Sequence, residues 1–192
     1  MKNLKLILIH FFIIIVSFFV SRWFFMEFLY PFSMSFFPTS GSVDFVIPLI
    51  QILLITFYLY LFVQSFISGF FPKWAIYIFY IIYCLLLIYL LFFKNIGIQG
   101  IEWNPLMFIQ DLLSAVVLLN IVMFIPSGFL FKFNKKNLLL FILIIFLVEI
   151  SQYVFALGIF DFGDIFTNTC GFIIGSALSE TPLFSNFKEK IR

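Results

Sequence analysis

Hydrophobic positions in this chain run in long blocks and do not alternate with polar ones. Apolar stretches cover residues 4–24, 45–67, 74–93, 106–131, 138–157 and 164–179. Most reach or approach the ~20 residues that a helix needs to cross the hydrocarbon core of a bilayer. The pattern predicts an all-α fold, a polytopic membrane helix bundle of about six transmembrane helices in one integral membrane domain, 1–192.

The breaks between blocks are short. The opening, with Lys2 and Lys5 before residues 6–20, has the look of a signal peptide. Ser21-Arg22-Trp23-Phe24-Phe25 then supplies bulky residues where a cleavage site needs small ones, so an uncleaved first span is expected. Glu27 to Asp44 is the longest break, with Pro31, Pro38 and Thr39-Ser40-Gly41-Ser42. Its Tyr30, Phe32, Phe36 and Phe37 predict a loop lying on the membrane interface. Ser68-Gly69-Phe70-Phe71-Pro72 reads as a tight turn, and Gly158 to Gly163 as another. Asn104-Pro105 reads as a helix N-cap followed by proline at the first helical position. Tyr77, Tyr80 and Tyr83 share a helix face; packing and interface anchoring is the first reading, a groove for an isoprenoid or sugar the other.

Composition agrees with the pattern. Charged residues are 10% of the chain, against about 25% in soluble domains. The expected partner is the lipid bilayer, with no nucleic acid. Cys84 and Cys170 are isolated, which predicts neither a disulfide nor a thiolate metal site. His10 is the sole histidine and is read as hydrogen-bonded or interfacial. Histidine-based zinc sites and triads are thereby excluded, and no metal or cofactor is expected.

Charge sets the orientation. An even number of spans puts both termini on one side, together with Lys2, Lys5, Lys73, Lys132, Lys135, Lys136, Lys188, Lys190 and Arg192. Only Arg22 and Lys94 fall on the other side. By the positive-inside rule both termini are cytoplasmic, and loops 25–44, 94–105 and 158–163 face outward.

Polar residues inside the last three spans then acquire depths. Glu149 lies ~12 Å below the end of the fifth span, and Asn120 ~14 Å below Asp111, taken as an interfacial anchor. Asn168 lies about one turn below Asp164. Glu149 and Gln152 share one helix face, and Asp164, Asn168, Gly171 and Gly175 form a stripe on the next helix. Gly171 and Gly175 make a G-x-x-x-G, a motif for close helix contact, and Pro126 and Gly128 are further packing candidates. An acid at mid-bilayer costs at least ~2.5 kcal/mol, so Glu149 should face protein or water. The expected pocket is Asn120, Glu149, Gln152, Asp164 and Asn168. The competing reading is structural: Glu149 hydrogen-bonds Asn120 or Gln152 and glues the spans together.

Asn120-(x3)-Phe124-x-Pro126-x-Gly128, Glu149-x-x-Gln152 and Asp161-x-x-Asp164-(x3)-Asn168-Thr169-x-Gly171-(x3)-Gly175 resemble the VanZ-like family of bacterial membrane proteins, over residues 104–178. Gly163 and Gly158 stand where members often carry a further acid and an Arg. The resemblance thus implies neither an ion pair at the mouth nor a three-acid metal site. It implies a protein of the bacterial cytoplasmic membrane associated with reduced susceptibility to glycopeptides such as teicoplanin. The ligand would be a glycopeptide or a lipid-linked cell-wall precursor.

Two other classes stay open. In a membrane enzyme acting on a lipid-linked precursor, Glu149 would be the general base and Asp161 or Asp164 an acid or a weak metal ligand. In a proton-coupled transporter the buried acid would be the relay, but no inverted repeat is visible.

Overall fold

The computed structural model describes residues 2–36, 41, 43–93, 99–104 and 114–192. Its helices are α1 (Lys2–Phe24), α2 (Tyr30–Phe36), α3 (Val43–Ser68), α4 (Lys73–Phe92), α5 (Ala115–Gly128), α6 (Lys135–Val154), α7 (Phe162–Ser179) and α8 (Pro182–Glu189). Strands β1 (Gly100–Glu102) and β2 (Ile159–Asp161) interrupt them. The chain divides into two compact units, 1–80 with 190–192, and 81–189.

Among the described residues, Leu4–Leu29, Asp44–Ser68, Lys73–Phe92 and Lys135–Val154 are long and apolar enough to cross a membrane. Polarity is inverted relative to a water-soluble protein. Ser17, Ser21, Thr56, Ser65, Ser176 and Ser179 are buried, while Phe12, Phe45, Ile81, Leu85 and Leu139 are exposed. Soluble monomers rarely expose continuous apolar surface beyond a few hundred Å². Hydrocarbon outside and small hydroxyls between helices is the arrangement of a membrane protein.

In the first unit, α1 does not give way to a loop near residue 25. A π-helical turn, Phe25–Leu29, carries it into α2, with the Tyr30 N–H donating to Phe25 O. This corrects the interfacial loop expected from Glu27 onward. Proline removes an i→i−4 bond and crowds the preceding turn. Here a widened turn just ahead of Pro31 accommodates both effects, and the helix goes on. Pro38 to Ser40, with Phe37 and Ser42, lie outside the described residues.

Ile13, Ser17 and Ser21 of α1, with Phe25 of the π turn, each four apart, form one buried face, and α1 packs on α3. The Tyr60 hydroxyl lies 3.2 Å from His10 Nδ1, so His10 is hydrogen-bonded as expected. Gly69 closes α3 with φ +72°, its N–H on Ser65 O at 3.1 Å, a left-handed cap that favours glycine. The C-terminal residues pair with the turn that follows: Phe71 N to Lys190 O at 2.6 Å and Arg192 N to Phe71 O at 3.0 Å. On α4, Tyr77 is exposed and the Tyr83 hydroxyl donates to Met123 O at 2.9 Å, which favours anchoring and packing over a groove.

In the second unit, α5 and α7 touch through their backbones. A Cβ on Gly171 would strike Ile121 O, one on Gly175 would strike Ile125 O, and one on Gly128 would strike Phe172 O and Ser176 N. Both helices advance together along this contact, so they run parallel. The Ser176 hydroxyl adds a bond to Gly128 O at 3.1 Å. Beside the seam, Phe141 stacks on Phe172 at 4.2 Å, and Phe124 meets Phe141 edge-on at 5.6 Å.

Three boundaries differ from expectation. Ser114 is extended (φ −65°, ψ 147°) and its Oγ accepts the Val117 N–H at 3.3 Å, so α5 starts at Ala115. The fourth span is thus not one helix from 106 to 131. Its first part, with Pro105 and the anchor Asp111, lies outside the described residues, as do Lys94 and Gly97. Asn134 Oδ1 caps α6 by accepting the Asn137 N–H at 2.8 Å, which starts that helix at Lys135 instead of 138. Ala156 (φ 55°) turns the chain after Val154, which leaves Glu149 ~8 Å below the helix end instead of ~12 Å.

The ribbon was not expected at all. β1 and β2 are parallel, with Gly100 opposite Ile159, Ile101 opposite Phe160 and Glu102 opposite Asp161. It gathers the α4–α5 and α6–α7 connections at one end of this unit.

Gly175→Val forces two backbones apart, at a cost of ~3 kcal/mol or more, the upper end of overpacking penalties. Gly100→Ala meets only ordinary contact with Ile159, at 3.8 Å, and serves as control. Thermal unfolding in detergent is expected to separate the two, and a Gly175→Val protein as stable as the parent would refute the seam.

Candidate functional site

The polar residues gather where α7 begins. β2 delivers Asp161 in an extended conformation (φ −124°, ψ 119°), and its Oδ1 accepts the Gly163 N–H at 2.6 Å. Asp161 is therefore the N-cap of α7, satisfying one of the free N–H groups at a helix start. Asp164 follows in the first turn. The seam with α5 sets the facing residue: Asn120 Nδ2 donates to Asp164 Oδ1 at 2.6 Å. This is a side-chain hydrogen bond across two helices.

Glu149 comes from α6 and is 2% exposed. Its Oε2 accepts the Asp161 backbone N–H at 3.3 Å. Asp161 and Asp164 are both close enough to act on it electrostatically. Among the described residues no Lys, Arg or His is paired with any of these three acids. The groups that face these acids are the positive end of the α7 dipole, Asn120 and backbone N–H groups. Among the described residues no three acidic, histidine or cysteine side chains form a group that could hold a metal ion.

One turn further along α7, Asn168 is 3% exposed, and its Oδ1 has no hydrogen-bond partner among the described residues. A buried carbonyl oxygen left unpaired costs about 1–3 kcal/mol. Thr167 is also buried, its hydroxyl bonded to Asp164 O at 3.2 Å.

The structure thus brings Asn120, Glu149, Asp161 and Asp164 together, with Asn168 on the adjoining turn. Gln152 points elsewhere: its Nε2 donates to Leu91 O of α4 at 2.8 Å. The bond of the competing reading, from Glu149 to Asn120 or Gln152, is not formed: Asn120 bonds Asp164 and Gln152 bonds α4. Two neighbours had no sequence signal. Glu102 lies beside Asp161 only through the ribbon, and Trp103 meets Phe162 at 5.7 Å through the same pairing. Gly128, Gly171 and Gly175 form the seam, and Pro126 lies inside α5 two residues before Gly128.

The Asn120–Asp164 bond is expected to show a coupling of about 1–2 kcal/mol in a double-mutant cycle with alanine, above the ~0.6 kcal/mol average for polar pairs between membrane helices. The readout is unfolding in detergent. Additive single-mutant effects would mean that the contact does not hold α5 to α7.

The VanZ/LLP1 family model matches residues 77–184, which takes in α5, α6, α7 and every residue of the polar centre. Protein VanZ of Enterococcus faecium is 38% identical over 65 residues, covering 31% of this chain and 40% of that protein. No solved structure matches the chain. The matched region exceeds half of the chain and carries the seam and the acids together: the chain belongs to the VanZ/LLP1 family.

Proposed function

We propose that this is a multi-pass protein of the bacterial cytoplasmic membrane, with six spans and both termini inside. Its polar centre opens outward and lowers susceptibility to glycopeptide antibiotics of the teicoplanin type. It does so by engaging the drug or the lipid-linked cell-wall precursor that the drug recognises. The orientation rests on the distribution of Lys and Arg. The parallel course of α5 and α7 supports it, since alternate spans must run the same way. The ribbon supports it too, by joining two connections assigned to the outer face.

The observation that carries the reading is the buried Glu149, which among the described residues is held by one backbone N–H, beside an Asn120–Asp164 bridge and an Asn168 oxygen with no partner among the same residues. Groups serving only as glue would be paired with one another. Here Glu149 and Asn168 keep free acceptor capacity, suited to the amide and hydroxyl donors of a glycopeptide or a precursor.

The same free carboxyl favours a second reading, an enzyme acting on a lipid-linked precursor. Glu149 would then be the base and Asp164 or Asp161 the acid. Precursor profiles of a deletion strain separate the two, since only an enzyme changes the covalent species present.

Expression in a susceptible host is expected to raise teicoplanin tolerance several-fold. Glu149→Ala and Asp164→Ala should return it to the vector level at equal protein abundance. Gln152→Ala, whose amide serves α4, should retain it. Tolerance unchanged by the wild-type protein, or undiminished in Glu149→Ala, would overturn the proposal.

A further inference from the structure

The far end of α7 carries a second feature, unconnected to the polar centre. After Ser179 the chain turns at Glu180 and forms α8, none of whose residues is buried. Leu183, Phe184 and Phe187 lie on one side of this helix, and Ser185, Asn186, Lys188 and Glu189 on the other. Leu183 is 85% exposed, so no part of this unit covers the apolar side there.

α8 is nonetheless fixed in place. Phe184 stacks flat on Phe129 at 4.5 Å with 2° between the planes. Lys188 Nζ donates to Ser179 O at 3.2 Å, capping α7, and lies over the Phe184 ring at 5.4 Å. Glu180 Oε1 accepts the Phe133 N–H at 3.3 Å. These contacts attach α8 to the α5–α6 connection, where Leu130, Phe131 and Phe133 are exposed beside the exposed Lys132, Lys135 and Lys136. The acids at this end are Glu180, already engaged, and Glu189.

Apolar and cationic side chains interleaved on one held surface suit the boundary between acyl chains and headgroups. We propose that α8 and the α5–α6 connection form a binding surface for anionic phospholipid headgroups. Leu183, Phe131 and Phe133 sit among the acyl chains, and Lys132, Lys135 and Lys136 neutralise the phosphates. Charge complementarity selects the occupant: lysines near an anionic leaflet gain attraction that zwitterionic headgroups do not give. The surface is independent of the function proposed for the polar centre.

The test uses the full chain in vesicles, with Leu183→Trp as reporter and Trp23, Trp74 and Trp103 changed to Phe. Brominated phosphatidylglycerol and brominated phosphatidylcholine are each tried as quencher. Quenching by both is expected, with phosphatidylglycerol enriched at the reporter by about fivefold, the factor that one lysine near an anionic surface can supply. The Lys132→Gln, Lys135→Gln, Lys136→Gln triple variant changes only exposed side chains. It should keep the quenching and lose the preference. Equal quenching by both lipids in the parent, or a preference that survives the triple variant, overturns the proposal. No quenching by either lipid also overturns it and points to a protein cover over α8.

Discussion

The backbone contact between α5 and α7 is the constraint on which the second unit depends. Gly128, Gly171 and Gly175 leave no side chain between the helices, so Ile121 and Ile125 carbonyls lie against the glycines themselves. Such a contact fixes axial position as well as distance, because a shift along the axis would drive Cβ atoms into backbone. Asn120 precedes Ile121 on one helix, and Asp164 lies two turns before Gly171 on the other. Their 2.6 Å bond is a consequence of the seam, not a substitute for it. Hydrogen bonds between membrane helices are individually weak, whereas close packing repeats along the whole crossing.

Among the described residues, the acids of the polar centre are held without cations. Buried ion pairs carry a desolvation penalty that their attraction repays only with excellent geometry. This chain instead puts its acids at a helix N-terminus, where backbone N–H groups already need acceptors. Asp161 takes Gly163, and Glu149 takes Asp161. The cap uses the backbone N–H of Gly163 alone and asks nothing of a side chain at that position.

Most of this was legible in the sequence because lipid simplifies the code. Block hydrophobicity marked the helices, and the cost of a buried acid marked Glu149. The spacing of Gly171 and Gly175 marked the seam. Illegible features depended on what two distant segments do together. Gly100 to Glu102 has no strand signature and becomes a strand only against Ile159 to Asp161. Gln152 lies one turn from Glu149, yet a Leu91 carbonyl on another helix decides where its amide goes. Pro31 misled because proline normally ends a helix, and a π turn is invisible to composition. The C-terminal end of α6 was misplaced because a left-handed Ala156, with no glycine at that position, turns the chain.

The ribbon has a mechanical meaning beyond its three paired positions. It clasps the connection entering α5 to the one entering α7, and these are the two helices that the glycine seam joins further down. A parallel pair that slips by one residue turns every side chain to the opposite face, so Glu102 and Asp161 could no longer lie side by side. Piston motion of α7 against α5 is blocked at the seam, while the clasp holds the start of α7 against β1. With axial sliding closed off at the seam, a gate at the polar centre would have to open by tilting one helix against the other.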